Sequence, residues 1–344
     1  MTRKEFIRLT TGLASGLGLH AAGEHPLGAA VASQSGSGLD ESYLELGLLG
    51  MAGAKSWFPA HLGAAVLAGY YLCRENRFDA ETRGAIKAQI DALIQTQPRQ
   101  FQGPAKEKPD RELVERIPAA LAPAVAGGLR AHGHAVIFAT LAIKALRDAP
   151  HMAQPRLVNQ LCGLSRQIAR KAPQAPQVNT PYASPQAMVE ANFDSLARFK
   201  DLLGRPGIRR PNFTHMTTHT EALLTLGSMG YRDLAEQGHA GHRAHIGEPV
   251  PSFDPARHPV TGPSASLEEV GSHEYWKHPE HLRQWNQAWN EKNNPNGYWI
   301  AFGHLFKVLY SYHRLVGLID DQEKVRLCSR ILLERYFNPA VQGG

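Results

Sequence analysis

The chain has 344 residues, of which 43% are hydrophobic and 20% charged, so its composition is that of a folded soluble protein and excludes a disordered one. Its formal charge is +6 and its isoelectric point is near 9.2. Basic and acidic residues alternate along most of the chain, which is typical of a solvated surface, and we therefore expect no nucleic-acid partner.

The N-terminus resembles an export signal. Thr2 to Arg8 resembles the twin-arginine motif, with Lys4 in place of the second arginine. The apolar stretch 9–22 is too short and too rich in Gly and Thr to span a bilayer. We predict a signal peptide over residues 1–32, a periplasmic protein and no stable membrane insertion after cleavage. The alternative is the N-terminal helix or tail of a cytoplasmic protein.

The sequence after this signal predicts a linker over residues 33–43 and a single all-helical domain over residues 44–344. Apolar residues recur at helical spacing, and no alternating run of β-branched residues is long enough to indicate a sheet. Helices are expected at 44–49, 61–73, 79–95, 113–129, 134–147, 157–171, 187–203 and 212–231. Four similar segments spread along the chain favour an α/α barrel or toroid of helical hairpins. Its oligomeric state is not indicated.

Three cysteines lie far apart, each in an apolar helical context: Cys73, Cys162 and Cys328. Their spacing is that of neither a disulfide framework nor a zinc site. We expect buried, inert thiols, with one disulfide bond possible after export.

A proline-rich segment, residues 246–272, predicts a long irregular loop that acts as a lid or rim. An aromatic cluster follows it, and its candidate substrate-binding residues are Tyr275, Trp276, Trp285 and Trp299. Such side chains suit a pocket for a flat or ring-shaped ligand, but they also fill seams between helices. Both interpretations stay open from the sequence.

Histidines give the clearest functional signal. Among 17 histidines, four stand at the start of similar apolar segments, His61, His134, His219 and His304, spaced by 73, 85 and 85 residues. Helices packed around one axis would bring these positions to one level. Imidazole is both a common metal ligand and an acid–base group near neutral pH, so convergence would create a metal or proton-transfer centre.

Spacing adds His215, which lies one helical turn before His219. The predicted metal ligands are therefore His61, His134, His215, His219 and His304, and the predicted catalytic residues are His134, His219 and His304. The alternative is that each histidine caps a helix or fills the core. A further run, His239, His242 and His245, is interrupted by Gly238 and Gly241 and is expected in the rim.

The order of these segments resembles that of the questin oxidase-like helical proteins. The matching segments begin at His61 (H-L-G-A-A-V-L-A), His134 (H-A-V-I), His219 (followed by Ala222-Leu223) and His304 (H-L-F-K), and they span roughly residues 56–318. The resemblance implies an all-helical enzyme that opens an aromatic polyketide ring with dioxygen and a reduced nicotinamide. No G-x-G-x-x-G turn follows a predicted strand, so a nicotinamide cofactor is expected only through this resemblance.

Three functions remain open at this point. The first is an oxidoreductase that acts on a ring-shaped organic substrate with a histidine-bound zinc, iron or copper ion, or with histidine acid–base groups. The second is a carbohydrate-active lyase or hydrolase on an α/α toroid, with a saccharide substrate and tryptophan platforms. The third is a non-catalytic metal-binding protein of the cell envelope.

Overall fold

The computed structural model describes residues 38–103, 107–175, 180–205, 208, 213–261 and 297–337; for 213, 297–302 and 336–337 it describes the backbone alone. The described residues form helices joined by short turns and contain no strand; their single β-bridge joins Leu129 and Gln174. The predicted all-α class is confirmed. The arrangement of hairpins into a closed barrel stays a prediction.

The helices are α1 (Ser42–Ala52), α2 (His61–Glu75), α3 (Ala80–Thr96), α4 (Arg116–Val125), α5 (His134–Asp148), α6 (Pro155–Ala169), α7 (Pro185–Ala197), α8 (Phe213–Ser228), α9 (Arg232–Gln237), α10 (His239–Ile246), α11 (Gly297–Val316) and α12 (Gln322–Leu332). Short 3₁₀ turns connect several of them, at Pro98–Phe101, Arg111–Glu115, Ala131–Gly133, Pro150–Met152 and Arg198–Leu202. No helix among the described residues is long and apolar enough to cross a membrane.

Four inner helices contact one another in a closed order. Helix α2 packs against α5, α5 against α8, α8 against α11, and α11 against α2. Their sequences explain this position, because α2, α5 and α11 are apolar on nearly every face, and all residues of α2 from His61 to Cys73 are buried. Helix α8 differs, because it buries several threonines and histidines. A close approach of α1 adds to the packing: a Cβ on Gly63 would lie 2.2 Å from the backbone nitrogen of Met51.

The four inner helices run in the same direction. The histidines near their N-termini come together at one end of the bundle. At the other end, Glu75 of α2 pairs with Lys144 of α5 and with Arg314 of α11, and Arg314 also pairs with Glu221 of α8. Both ends therefore bring polar groups of all four helices into contact, which is possible only if the helices are parallel.

The outer helices cover this inner group with amphipathic faces. Helices α1 and α3 pack on α2, α4 and α6 pack on α5 and on each other, and α7, α9 and α10 pack on α8. Polar side chains cap several of them: Asp79 accepts a hydrogen bond from the Thr82 backbone at 2.7 Å, and Ser184 accepts one from Ala187 at 3.1 Å. These local signals explain why helix starts were predictable from the sequence.

Several predicted boundaries differ in the structure; the predicted helix 187–203, for example, ends at Ala197 and is followed by a 3₁₀ turn at Arg198–Leu202. The predicted helix 113–129 is instead a 3₁₀ turn at Arg111–Glu115 followed by α4, which ends at Val125. Gly127 and Gly128 both have positive φ angles, 75° and 131°, so the helix cannot continue through them. The predicted linker over residues 33–43 overlaps the start of α1 at Ser42.

The three cysteines are free and buried, as predicted. Burial raises the pKa of the Cys73 thiol and that of the Cys328 thiol to about 12, so both are protonated and unreactive at neutral pH.

Candidate metal centre

Four histidines from the four inner helices form one buried group. His61 and His134 are the first residues of α2 and α5, His215 lies in the first turn of α8, and His304 lies inside α11. One ring nitrogen from each lies within 4.8 Å of the corresponding atoms of the other three, and all four residues are buried. The structure thus brings together four of the five predicted metal ligands, and this group could hold a metal ion.

Hydrogen bonds fix the orientation of two rings. His61 Nδ1 lies 2.6 Å from the Phe58 carbonyl oxygen, and His134 Nδ1 contacts the Ala131 carbonyl oxygen. A carbonyl oxygen only accepts, so in both rings Nδ1 carries the proton and Nε2 presents its lone pair to the interior. This Nδ1-to-carbonyl hydrogen bond is the usual arrangement behind a metal-binding Nε2.

The inward-facing nitrogens are close enough to share a cation. His61 Nε2 lies 2.7 Å from His134 Nε2, and His215 Nε2 lies 3.1 Å from His304 Nε2. Two lone pairs at 2.7 Å repel each other unless a proton or a metal ion lies between them. Two ligands of a tetrahedral zinc ion at its usual Zn–N length would be about 3.3 Å apart, so the first pair would open by about 0.6 Å around such an ion.

Burial keeps the rings neutral, which is the form that binds metals. It lowers the pKa of His61 and that of His134 well below the usual value, and the charge of Lys307 lowers both further. Burial also lowers the pKa of His215, with additional repulsion from His134 and His304. A proton shared inside this group is therefore unfavourable, whereas a metal ion gains four neutral ligands.

Lys307 is a buried amine beside this centre. It lies one turn after His304 on the same face of α11, is 2% exposed, and acts electrostatically on His61 and His134. Its Nζ atom has no hydrogen-bond partner in the part of the chain that the structure describes. Burial lowers the pKa of its ammonium group well below the usual value. Site predictions from the sequence missed it, although a lone lysine in the apolar run L-F-K-V-L-Y was a visible signal.

A strained turn precedes His134. Ala131, His132 and Gly133 have positive φ angles of 45°, 53° and 77°, which is costly for the first two residues because each has a Cβ. This conformation directs the Ala131 carbonyl to His134 Nδ1 and places the exposed His132 ring 5.3 Å from the His215 ring, with 24° between their planes. Gly133 also touches the His219 ring: a Cβ there would lie 2.6 Å from Cγ.

His219, predicted as both ligand and catalytic group, lies outside the four-histidine group. Its Nδ1 is 3.4 Å from His245 Nδ1, and its ring packs against those of His242 and His245. His215 and His219 lie one helical turn apart on α8, a spacing that would allow both to bind one ion, but the His219 ring packs against α10 instead of joining the centre. The Nε2 atoms of His219 and His245 are buried without hydrogen-bond partners among the described residues, and burial lowers the pKa of His219 to about 3.

The run His239, His242 and His245 lies in helix α10 and is buried, so its predicted place in an exposed rim is wrong. Gly241 does not interrupt the helix; it lets α10 approach the Gly128 carbonyl, which a Cβ would contact at 3.3 Å. His242 is a structural residue. The Thr220 hydroxyl donates to the Met216 carbonyl at 2.8 Å, so His242 Nε2 donates to Thr220 at 2.7 Å and Nδ1 accepts from Tyr182 at 2.8 Å.

An aromatic wall borders the centre. Trp57 lies 6.0 Å from the His61 ring and 5.4 Å from the His134 ring, and Phe138 lies 5.2 Å from His61. The sequence-based prediction of substrate-binding residues did not include Trp57. The predicted residues Tyr275, Trp276 and Trp285 lie outside the described residues, and the side chain of Trp299 does too.

A small cleft that is open to solvent and has room for about one water molecule reaches His219 and Gly133. Small residues line it, including Ala124, Gly128 and Gly238. The described part of the predicted lid, residues 246–261, is irregular after Ile246, as its prolines predict, and is attached to the body by a Thr261-to-Gly204 backbone hydrogen bond of 2.8 Å. Residues 262–272 lie outside the described part of the chain.

Opposite the centre, two carboxylates pair with two cations at the other end of the inner helices. Lys144 Nζ lies 2.7 Å from the Tyr310 hydroxyl and pairs with Glu75, and Arg314 lies 2.7 Å from Glu75 and 3.0 Å from Glu221. Two acids and two bases balance in charge. Neither carboxylate is therefore available to compensate a cation held by the histidines.

Comparison with known proteins adds no relative to this description. No protein-family model matches the chain, and neither curated proteins nor solved structures give a match. The resemblance to the questin oxidase-like proteins and the export signal therefore stay predictions from the sequence.

Proposed function

We propose that this protein is a metal-dependent oxidoreductase that acts on a ring-shaped organic substrate, with His61, His134, His215 and His304 as the metal ligands. One observation carries the proposal: four neutral imidazoles from four helices direct their ring nitrogens to one buried point. Such an arrangement is costly for a core that needs only apolar packing, because four polar rings are buried and the facing Nε2 lone pairs of His61 and His134 repel each other.

The ligand set favours a metal of intermediate softness. Imidazole suits zinc, copper and iron, whereas calcium and magnesium prefer oxygen ligands. A tetrahedral zinc ion with four protein ligands would be closed to substrate, as in structural zinc sites. Iron or copper can extend its coordination beyond four ligands and can change oxidation state, so we propose one of these two ions for the catalytic form.

Each residue then has a defined role. The Phe58 and Ala131 carbonyls hold the rings of His61 and His134 in the ligating tautomer. Trp57 and Phe138 supply an apolar border for the centre. His134 and His304, predicted as catalytic from the sequence, act as ligands in this proposal, and His219, whose pKa burial lowers to about 3, has no assigned catalytic role.

Metal analysis of protein purified without a histidine tag tests the proposal. We expect about one iron or copper ion per chain, with an absorption or paramagnetic resonance signal, and loss of that ion in His134→Ala. The matched control is His151→Ala, because His151 is exposed, pairs with Glu45 and is not one of the proposed ligands. Equal metal content in the two variants, or none in the wild type after reconstitution, would overturn the proposal.

Turnover distinguishes the remaining alternatives. Metal-loaded protein should consume an oxidant in the presence of a hydroxylated aromatic or polyketide compound. Tight metal binding without turnover of any such compound would favour the non-catalytic envelope protein. The carbohydrate-active alternative depends on tryptophans outside the described residues and stays a prediction.

A further inference from the structure

The proposed metal centre has a charge that its protein ligands do not neutralise. Four neutral imidazoles leave the full charge of a bound divalent ion in a buried site, where an uncompensated charge is costly. The groups that act most strongly on the rings of His61 and His134 include Lys307 and other histidines, and they include no carboxylate. The carboxylates of half-buried Glu75 and buried Glu221 are already paired with Lys144 and Arg314.

A second observation lies on the same side of the centre. Lys307 Nζ is fully buried and has no hydrogen-bond partner in the described chain, although a buried donor without an acceptor costs about 1–3 kcal/mol. An amine donates N–H bonds in both its neutral and its charged form. The Lys307 amine therefore lacks a hydrogen-bond acceptor, and a bound metal ion lacks a negative group that compensates its charge. One anionic ligand would supply both.

From this geometry we propose that the four-histidine centre binds an anionic oxygen donor, such as a phenolate or enolate oxygen of the substrate, between the metal ion and Lys307 Nζ. The inference rests on the proposed metal centre and defines its substrate class. Lys307 is not a metal ligand in this proposal; it is a binding residue that donates a hydrogen bond to the anion. A neutral substrate group would leave the charge of the ion uncompensated.

Azide binding to cobalt-substituted protein tests this inference, because azide is a small anion and Co(II) reports its ligands by visible absorption. Three proteins are compared: the wild type, Lys307→Met, and the matched control Lys171→Met. Lys171 is exposed and lies 5.3 Å from the Trp57 ring, so the control removes one positive charge from the same end of the molecule without touching the buried amine.

We expect saturable azide binding to the wild type, an affinity within about twofold of it for Lys171→Met, and at least tenfold weaker binding to Lys307→Met, with equal cobalt content in all three. Imidazole, a neutral ligand, should bind Lys307→Met as it binds the wild type. Lys307→Leu provides a second variant if the first does not fold.

The outcomes separate the two proposals. Equal azide affinity in Lys307→Met and wild type, or no azide binding to cobalt-loaded wild type, would overturn the role of Lys307 and leave the metal centre standing. Parallel losses of azide and imidazole binding would also overturn it, since that pattern indicates a blocked site. Failure of the wild type to bind cobalt would instead refute the metal centre itself.

Discussion

Lys307→Met should stabilise the metal-free protein, although it removes a residue with a proposed functional role. The side chain is 2% exposed and its Nζ has no partner among the described residues. Methionine fills a similar volume without a polar group, so the substitution removes the desolvation cost of an orphan donor, about 1–3 kcal/mol. A change of 1 kcal/mol in the unfolding free energy moves the melting temperature by about 2–4 °C in a domain of roughly 150–250 residues, and by about 1.5–2 °C in one of roughly 300 residues, the length of the predicted domain. We expect a rise of about 2–6 °C.

The pH dependence of this gain has a definite sign. Burial lowers the pKa of Lys307 in the folded protein, so between that lowered pKa and about 10.4 the unfolded chain binds more protons than the folded one. Wild-type stability should therefore rise with pH across this window. The advantage of Lys307→Met should be larger at pH 7 than at pH 10, because the methionine variant lacks this titration.

Urea unfolding of the metal-free proteins at both pH values measures the effect, since bound metal would add its own stabilisation. Lys171→Met serves again as the control and should change the unfolding free energy by less than about 0.5 kcal/mol, as expected for an exposed site. A destabilised Lys307→Met, or a gain that does not shrink towards pH 10, would show that the amine has a partner and that the reasoning is wrong.

Three further predictions follow from the same geometry. His215→Ala should weaken metal binding on the order of 100-fold or more, because it removes a ligand, whereas His219→Ala should change the affinity by less than about tenfold. Similar losses of affinity for the two variants in a competition titration would place His219 in the centre. Ala131→Gly should raise the unfolding free energy by about 0.5–1 kcal/mol, because glycine relieves the strain of a positive φ of 45°. Ala122→Gly, inside α4, should lower the unfolding free energy by a similar amount. A lower unfolding free energy in both variants would exclude strain at Ala131. Burial lowers the pKa of His219 to about 3 and that of His313 to about 4. As pH falls below about 6.5, the unfolded chain takes up protons first, so each such histidine should lower the unfolding free energy by about 1.4 kcal/mol per pH unit. A stability profile from circular dichroism that is flat from pH 7 to pH 5 would contradict this.

The sequence by itself determined the all-helical class, the positions of most helices and the candidate ligands. These are local properties: apolar spacing defines a helix and its buried face, and caps such as Asp79 and Ser184 mark where one begins. Recurrence of histidine at helix starts also drew attention to His61, His134 and His304 before any geometry was known.

Only the tertiary structure decided which histidines meet. A sequence gives the face of a helix on which a residue lies but not what that face meets, so it could not show that His215 reaches the centre while His219, one turn on, packs against His245. The strained turn at Ala131 and the missing partner of Lys307 are likewise properties of the packed chain. Both depend on contacts between segments far apart in sequence, and local propensity carries no information about such contacts.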